Sequence, residues 1–490
     1  GTEYLEKIVQ VPLDIPLISS DDLEKLLTNQ LRILMGDLLE SESNRIYWGN
    51  VYYSGFKHFF KNIRDVTRYI NVLRFSYGLV KDEVNPIDFI AITSVQVFIP
   101  EIYHKIKDNK KVFTNLSTLS ESDKIEFKHI CEDIISCTDQ RIQKFLLNFL
   151  KTLFPNLNTI YENTIYGANT RNWYRANRRI CSEDVFDTYF KLSLPNGEIS
   201  QKEIRSIINL ENEPKEFSNK LIEFSENGKI SRFLAVFPDH VSKIQMENIG
   251  NVISSILDTG DRFPDDRSIL YGTPMSIHYI TRLLLERLNN QNERFTILEN
   301  SIKDSTSSLY TFVWEIDYQD ELQGRYNYKK ANDSEKVFTI SPEQLDTLEK
   351  LVCTKIETWA DQGKLKSHPK VVPILQTWKQ WGADQGNIDS VIEEIIECDD
   401  CLINFLSNCI SPHYSHCVTD YVGETTWRIH FGLIEDFIDL NVIETRLNDI
   451  NFLNKVENMT DMEKLAIELF LENIKKYKLN PDQKIQPYRD

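Results

Sequence analysis

Residues whose types and spacing can do chemistry fall in four places in this 490-residue chain. The first is Lys61-Asn62-Ile63-Arg64-Asp65-Val66-Thr67-Arg68-Tyr69-Ile70-Asn71-Val72-Leu73. At about 100° per residue, Arg64, Arg68 and Asn71 share one helix face, and Val66, Tyr69, Ile70, Leu73, Tyr77 and Val80 share the opposite one. Two guanidiniums one turn apart repel unless an anion sits beside them, so the pair can read a phosphate. An ordinary solvated helix face has the same pattern. The second place holds Arg171, Arg175, Arg178 and Arg179 interleaved with Trp173 and Tyr174. That combination grips single-stranded nucleic acid by charge and stacking, or docks on its own domain.

The third place is Cys398-Asp399-Asp400-Cys401, followed by Cys409, His413, His416 and Cys417. The spacing suits a zinc site. Ile395, Ile396, Leu402, Phe405, Leu406 and Ile410 give the same segment a core-helix pattern, in which buried cysteine is ordinary, and no metal ligand is assigned. In the fourth, Asp258, Asp261, Asp265 and Asp266 crowd a loop that holds a divalent cation or is a solvated acidic turn. Phosphate-loop, serine-hydrolase, zincin and dinucleotide-binding motifs are all absent from the sequence. No catalytic residue is assigned.

The elements that must position these groups are helices. Asp21 to Leu39 carries leucines at helical spacing. Asn85-Pro86-Ile87-Asp88 combines an Asn cap, a first-turn Pro and an acid near the amide end. Ile87, Ile90, Ala91, Val95 and Phe98 form the apolar stripe behind it. Ser200-Gln201-Lys202-Glu203 and Ser341-Pro342-Glu343-Gln344 are capping boxes. Residues 1–16 read as a strand and an extended turn. The polar stretch 106–125 reads as a boundary, and 258–275 and 315–338 as loops. The expected fold is mostly α: a multi-helical subdomain at 17–110, then a large helical C-terminal region divided at about 126–290 and 291–490.

Composition agrees. Seventeen Gly and 16 Pro in 490 residues disfavour a turn-rich β fold. A net charge of −18 argues against a wholly nucleic-acid-binding surface or an anionic membrane surface, though not against a local basic groove. With no apolar run long enough to span a bilayer, no membrane segment is expected. Eight cysteines in so long a chain make no disulfide framework, and a reducing cytoplasm is expected.

Several of these stretches resemble one family. Tyr4-Leu5-Glu6-Lys7-Ile8-Val9-Gln10-Val11-Pro12-Leu13-Asp14-Ile15-Pro16 is similar to the segment leaving the nucleotide-binding core of KAP-type P-loop NTPases. The Arg64-to-Asn71 helix, Glu83-Val84-Asn85-Pro86-Ile87-Asp88-Phe89-Ile90 and Val97-Phe98-Ile99-Pro100-Glu101-Ile102-Tyr103 follow in that family's order. Arg178-Arg179-Ile180-Cys181-Ser182-Glu183-Asp184-Val185-Phe186-Asp187-Thr188-Tyr189-Phe190 is similar to a motif of its larger soluble members.

The resemblance covers about 1–110 and 150–200. It implies the C-terminal part of a STAND-like NTPase without the Walker A and B core. Residues 1–16 would end the core, 17–110 form a lid, and 291–490 form a sensor or interaction domain. It implies ATP and Mg²⁺ as cofactors, with most of their site absent from this chain. Arg64 would sense the γ-phosphate and Arg68 would support it. The implied activity is an ATP-dependent switch, with anti-phage defence as a frequent setting. The implied partners are the N-terminal NTPase core or further copies of the chain, and a protein trigger or effector; nucleic acid is not favoured. The motif match at 178–190 favours a structural role for the arginine run, because Phe186, Tyr189 and Phe190 look like core. The alternative is a stand-alone helical interaction module that binds no nucleotide, with a zinc-dependent nucleic-acid binder as a weaker third reading.

Overall fold

Short polar side chains open the helices. Ser19 accepts the Asp22 amide at 3.1 Å, Ser41 that of Asn44 at 3.2 Å and Asn62 that of Asp65 at 3.0 Å. Asn85 takes both Ile87 and Asp88 amides, at 3.0 and 3.2 Å. Reciprocal capping boxes form at Ser120/Asp123, Ser200/Glu203 and Ser341/Gln344. Each satisfies backbone donors that a helix start otherwise leaves unpaired. The computed structural model describes residues 18–36, 41–115, 119–162, 164, 166–195, 197–265, 272–326, 339–414, 425–448, 459–479 and 488–489. The strand and turn expected over 1–16, and Asp266, His416 and Cys417, lie outside the described residues.

The architecture is mostly α, as expected, and forms two compact units. Unit one is Gly1–Asn209 with Val236–Lys243; unit two is Leu210–Ala235 with Ile244–Asp490. In unit one a single apolar cluster runs from Leu23 to Phe190. Ile106, Val112, Phe113 and Leu119 belong to it, so the described residues of the polar 106–125 stretch share one core rather than separating two. The Ile63–Val80 helix buries Val66, Tyr69, Ile70, Leu73, Ser76 and Val80. Against it packs the Pro86–Phe98 helix, buried on nearly every side.

In unit two, the expected loop at 315–338 is corrected. Residues 315–323 belong to the Tyr310–Gln323 helix. Its polar residues Glu315, Gln319 and Asp320 are buried together with Phe312, Val313 and Ile316, so no apolar stripe advertises it. Glu315 faces His278 Nδ1 at 3.0 Å, and Asp320 accepts the Trp381 indole N–H at 2.9 Å.

At Asp258 and Asp261 the acidic loop is neither a cation site nor a solvated turn, whereas the exposed Asp265 pairs with Lys370 at 2.9 Å. Asp258 accepts the Thr306 and Ser307 amides at 3.0 and 2.8 Å. Asp261 accepts the Leu309, Tyr310 and Thr311 amides at 2.6, 2.9 and 2.7 Å, closing the N-terminus of the 310–323 helix.

A small antiparallel sheet, Ile410–Tyr414, Thr425–Ile429 and Tyr488–Arg489, was not expected from the sequence. Cys398 and Cys401 are joined as a disulfide, an exception to the expected reduced cysteines.

Asp320 yields a pH prediction. Burial, then the neighbouring Glu349 carboxyl, push its pKa from 3.8 up to about 8. The folded chain therefore prefers the neutral acid, and the associated stability is present below the unfolded value and lost as pH rises through 8. Denaturation measured from pH 5 to 9 is expected to show unit two weakening as pH rises. Asp320→Asn, which cannot ionise, is expected to flatten that slope; an unchanged slope removes Asp320 as its source.

Candidate functional site

The face singled out in the sequence is ordered by the start of its helix. Asn62 caps it, and Asp65 returns a bond by accepting the Lys61 amide at 2.9 Å. Asp65 is thus occupied with the helix end, not with Arg64 or Arg68. Arg64 lies in the first turn, is exposed, and has no hydrogen-bond or ion-pair partner among the described residues.

Arg68 is differently placed. Its Nη2 donates to the Val97 carbonyl, and its guanidinium lies 5.6 Å from the centre of the Phe98 ring. A cation at the last carbonyls of a helix is favoured by the helix dipole. Arg68 therefore clamps the C-terminal end of the 86–98 helix, and the stacked Phe59 ring, 5.6 Å away, backs Phe98. The two arginines share a face but not a task.

The same outward stripe continues to Phe75 and Leu79, which are 75% and 59% exposed. Relative to Arg64 they fall at i+11 and i+15, within about 60° of it around the helix. Sequence reading missed them. The available signal was large apolar residues off the apolar face. An exposed stripe that is cationic at one end and apolar at the other is a docking surface in composition.

At the other end of the 86–98 helix lies a buried charged network. Asp88 is completely buried and Arg179 is 5% exposed. Arg179 Nε donates to Asp88 Oδ2 at 2.8 Å, as does the Ile180 amide, and the Tyr47 hydroxyl donates to Asp88 Oδ1. Arg179 Nη2 also reaches the Tyr47 oxygen at 2.6 Å, and the guanidinium lies 4.0 Å from the Tyr47 ring centre. Burial, then the charge of Asp88, push the Tyr47 phenol well above its ordinary pKa, so it remains a donor.

Alongside, the Arg178 carbonyl accepts the Asn85 amide at 3.0 Å and the Tyr189 hydroxyl at 2.6 Å. The stretches around Asn85 and Arg178, about ninety residues apart, are thereby locked together. These bonds join the members to one another and give the network a structural role, while Tyr47 and Arg179 also line a cleft of about 840 Å³ in this unit.

Arg175 is tied to Asp239, Nε at 2.7 Å and Nη2 at 2.9 Å. With Arg175 and Arg179 both on internal carboxylates, the arginine run is docked on its own unit, and only Arg171 and the half-exposed Trp173 remain outward of the expected nucleic-acid grip. Around Cys398 no group of three or more potential metal ligands forms among the described residues. No described helix is long and apolar enough to cross a membrane.

These features define a mostly helical protein with a locked first unit and an outward arginine. Residues 1–80, which include Arg64 and Arg68, match the family model of the KAP family P-loop domain. No curated protein matches the chain, and no solved structure matches it. P-loop NTPases in general use a nucleotide and Mg²⁺. The residues present do not fit a complete site for them: the sequence has no phosphate loop, and the described residues no carboxylate cluster suited to the ion.

Proposed function

We propose that this chain carries the helical lid and the sensor or assembly region of a KAP-type P-loop NTPase acting as an ATP-dependent switch. The phosphate-binding core lies outside these residues, and Arg64 is the chain's own contribution to reading the nucleotide's terminal phosphate. The observation that carries this reading is the exposed Arg64, with no partner among the described residues, on a stripe shared with exposed Phe75 and Leu79, within the 1–80 family match. Arg68 supports it indirectly, by holding the helix against the end of its neighbour. In this reading 17–110 is the lid, and 126–290 and 291–490 are helical regions that sense a protein trigger or pack against further copies. Anti-phage defence in a cytoplasmic setting belongs to the same proposal and is tested by phage challenge of cells carrying the Arg64 variant.

With the P-loop core present, Arg64→Ala is expected to lower ATP turnover at least tenfold, against the roughly 10³–10⁵ an arginine finger supplies. Stability should stay within about 0.5 kcal/mol, because no described contact is lost. Unchanged turnover would end the sensor assignment. A second reading, a helical interaction module that binds no nucleotide, is favoured by the exposed Phe75 and Leu79. Calorimetry with ATP, for the chain alone and mixed with the core, separates the two: binding restored on mixing supports the NTPase.

A further inference from the structure

We infer that a cleft in unit two binds a lysine or arginine side chain presented by a peptide segment of a partner protein. The cleft holds about 440 Å³. One wall is the Pro342–Asp361 helix, which supplies Asp346, Glu349 and Glu357. The facing wall is the end of the Val371–Gln380 helix and the turn after it, with Trp378, Trp381 and Asp384. Tyr326 lies beside them with its hydroxyl on Glu349 Oε2 at 2.7 Å.

The charge is unbalanced. Arg325 meets the carboxylates of Glu349, at 2.6 Å, and Asp346, and lies 3.4 Å from Asp320, which burial and the Glu349 carboxyl keep neutral. Glu357 and Asp384 add two more acids, and Lys350 is the other cation in the lining. Two cations against the four lining acids Asp346, Glu349, Glu357 and Asp384 leave the cleft negative, so an anionic occupant is repelled, and a neutral apolar one would cover these carboxylates without pairing them. A cation does neither. The indole and phenol faces attract it as well, more strongly as water is excluded.

Two observations favour a peptide over a bare ion. The volume exceeds what a single ion fills, and no metal-ligand group forms among the described residues. In addition, the indole N–H of Trp378, a residue 1% exposed, has no acceptor among the described residues. A buried donor left unmade is costly, and a peptide brings backbone carbonyls that a metal ion lacks. The inference is independent of Arg64, which lies in the other unit.

The test is calorimetric titration of the full chain with an acetylated, amidated Gly-Gly-Arg-Gly-Gly peptide and its lysine, norleucine and glutamate counterparts. Saturable binding of the arginine and lysine peptides, weakening with salt, is expected, with none for norleucine or glutamate. Glu357→Gln removes one exposed charge, and Trp378→Phe removes the unpaired N–H while keeping a ring. Each is expected to weaken binding at least threefold, with thermal melts confirming that both variants fold. Equal binding of the norleucine peptide, no saturation by the arginine peptide, or wild-type affinity in both variants would overturn the assignment.

Discussion

Asp88→Ala is expected to destabilise unit one by about 3–5 kcal/mol, the largest effect of any substitution considered. The carboxylate is completely buried, and it holds the Arg179 Nε, the Ile180 amide and the Tyr47 hydroxyl. Removing it strands a guanidinium that cannot deprotonate in a site with almost no access to water. Asp88→Asn keeps the shape and one acceptor but not the charge, and should fall between Asp88→Ala and wild type. The pair Asp88→Leu with Arg179→Met should lose far less than either single charge deletion, because no buried ion is left alone. Chemical denaturation of Asp88→Ala, Asp88→Asn, Arg179→Met and the double variant gives the comparison.

The consequence reaches the candidate site. Asp88 lies at one end of the 86–98 helix and the Val97 carbonyl that holds Arg68 lies at the other. Loosening the first end should also lower any Arg64-dependent turnover, even below the melting transition. A single-deletion loss under 1 kcal/mol would show that the network is not what locks the unit.

Gly260→Ala is expected to cost about 2–3 kcal/mol, for a steric reason. The φ of Gly260 is −58°, which any residue adopts, so no backbone strain is involved. A Cβ there would collide with Thr311 Oγ1 and stand 2.8 Å from Thr311 Cγ2 and 3.1 Å from Ile277 Cδ1. Thr311 cannot turn away freely: its hydroxyl donates to Asp261 Oδ1 at 2.6 Å and its amide to the same oxygen at 2.7 Å. His368 Nε2 approaches that carboxylate at 3.1 Å. Burial favours the neutral acid at Asp261, but the His368 and Thr311 hydrogen bonds outweigh it and hold the pKa below the ordinary 3.8.

A clash that displaces Thr311 therefore also weakens the anchor of the 310–323 helix. Adding Thr311→Ala removes both clashing Thr311 atoms and should recover part of the loss. Thermal melts of Gly260→Ala with and without the second change test this, and a single variant as stable as wild type would refute the close approach.

Much of the helical layout is legible from local chemistry. Asn85 and Pro86, Ser200 with Glu203, and Ser341 with Gln344 announce helix starts because the capping groups lie within three residues of the amides they satisfy. The faces of the 63–80 helix are legible for a similar reason: one element with one period sorts its own side chains. The 310–323 helix was not, since it buries acids and amides among its apolar residues and so hides the pattern that marks an inward face.

Partners distant in sequence were beyond that kind of reading. Asp88 looks like a first-turn acid, and only the folded chain brings Arg179 and Tyr47 onto it. Arg64 and Arg68 are equivalent by spacing, yet packing hands one of them a helix end and leaves the other facing outward. Asp258 and Asp261 resemble a solvent-facing turn until the 305–311 segment closes over them.

The residues themselves determined where helices begin and which faces are apolar, because those outcomes depend on neighbours a turn or less away. Which charges are buried, which arginine stays free and where an acidic aromatic cleft opens were decided by tertiary packing. A charge's fate depends on what lies opposite it in space, and that is written nowhere in its own segment.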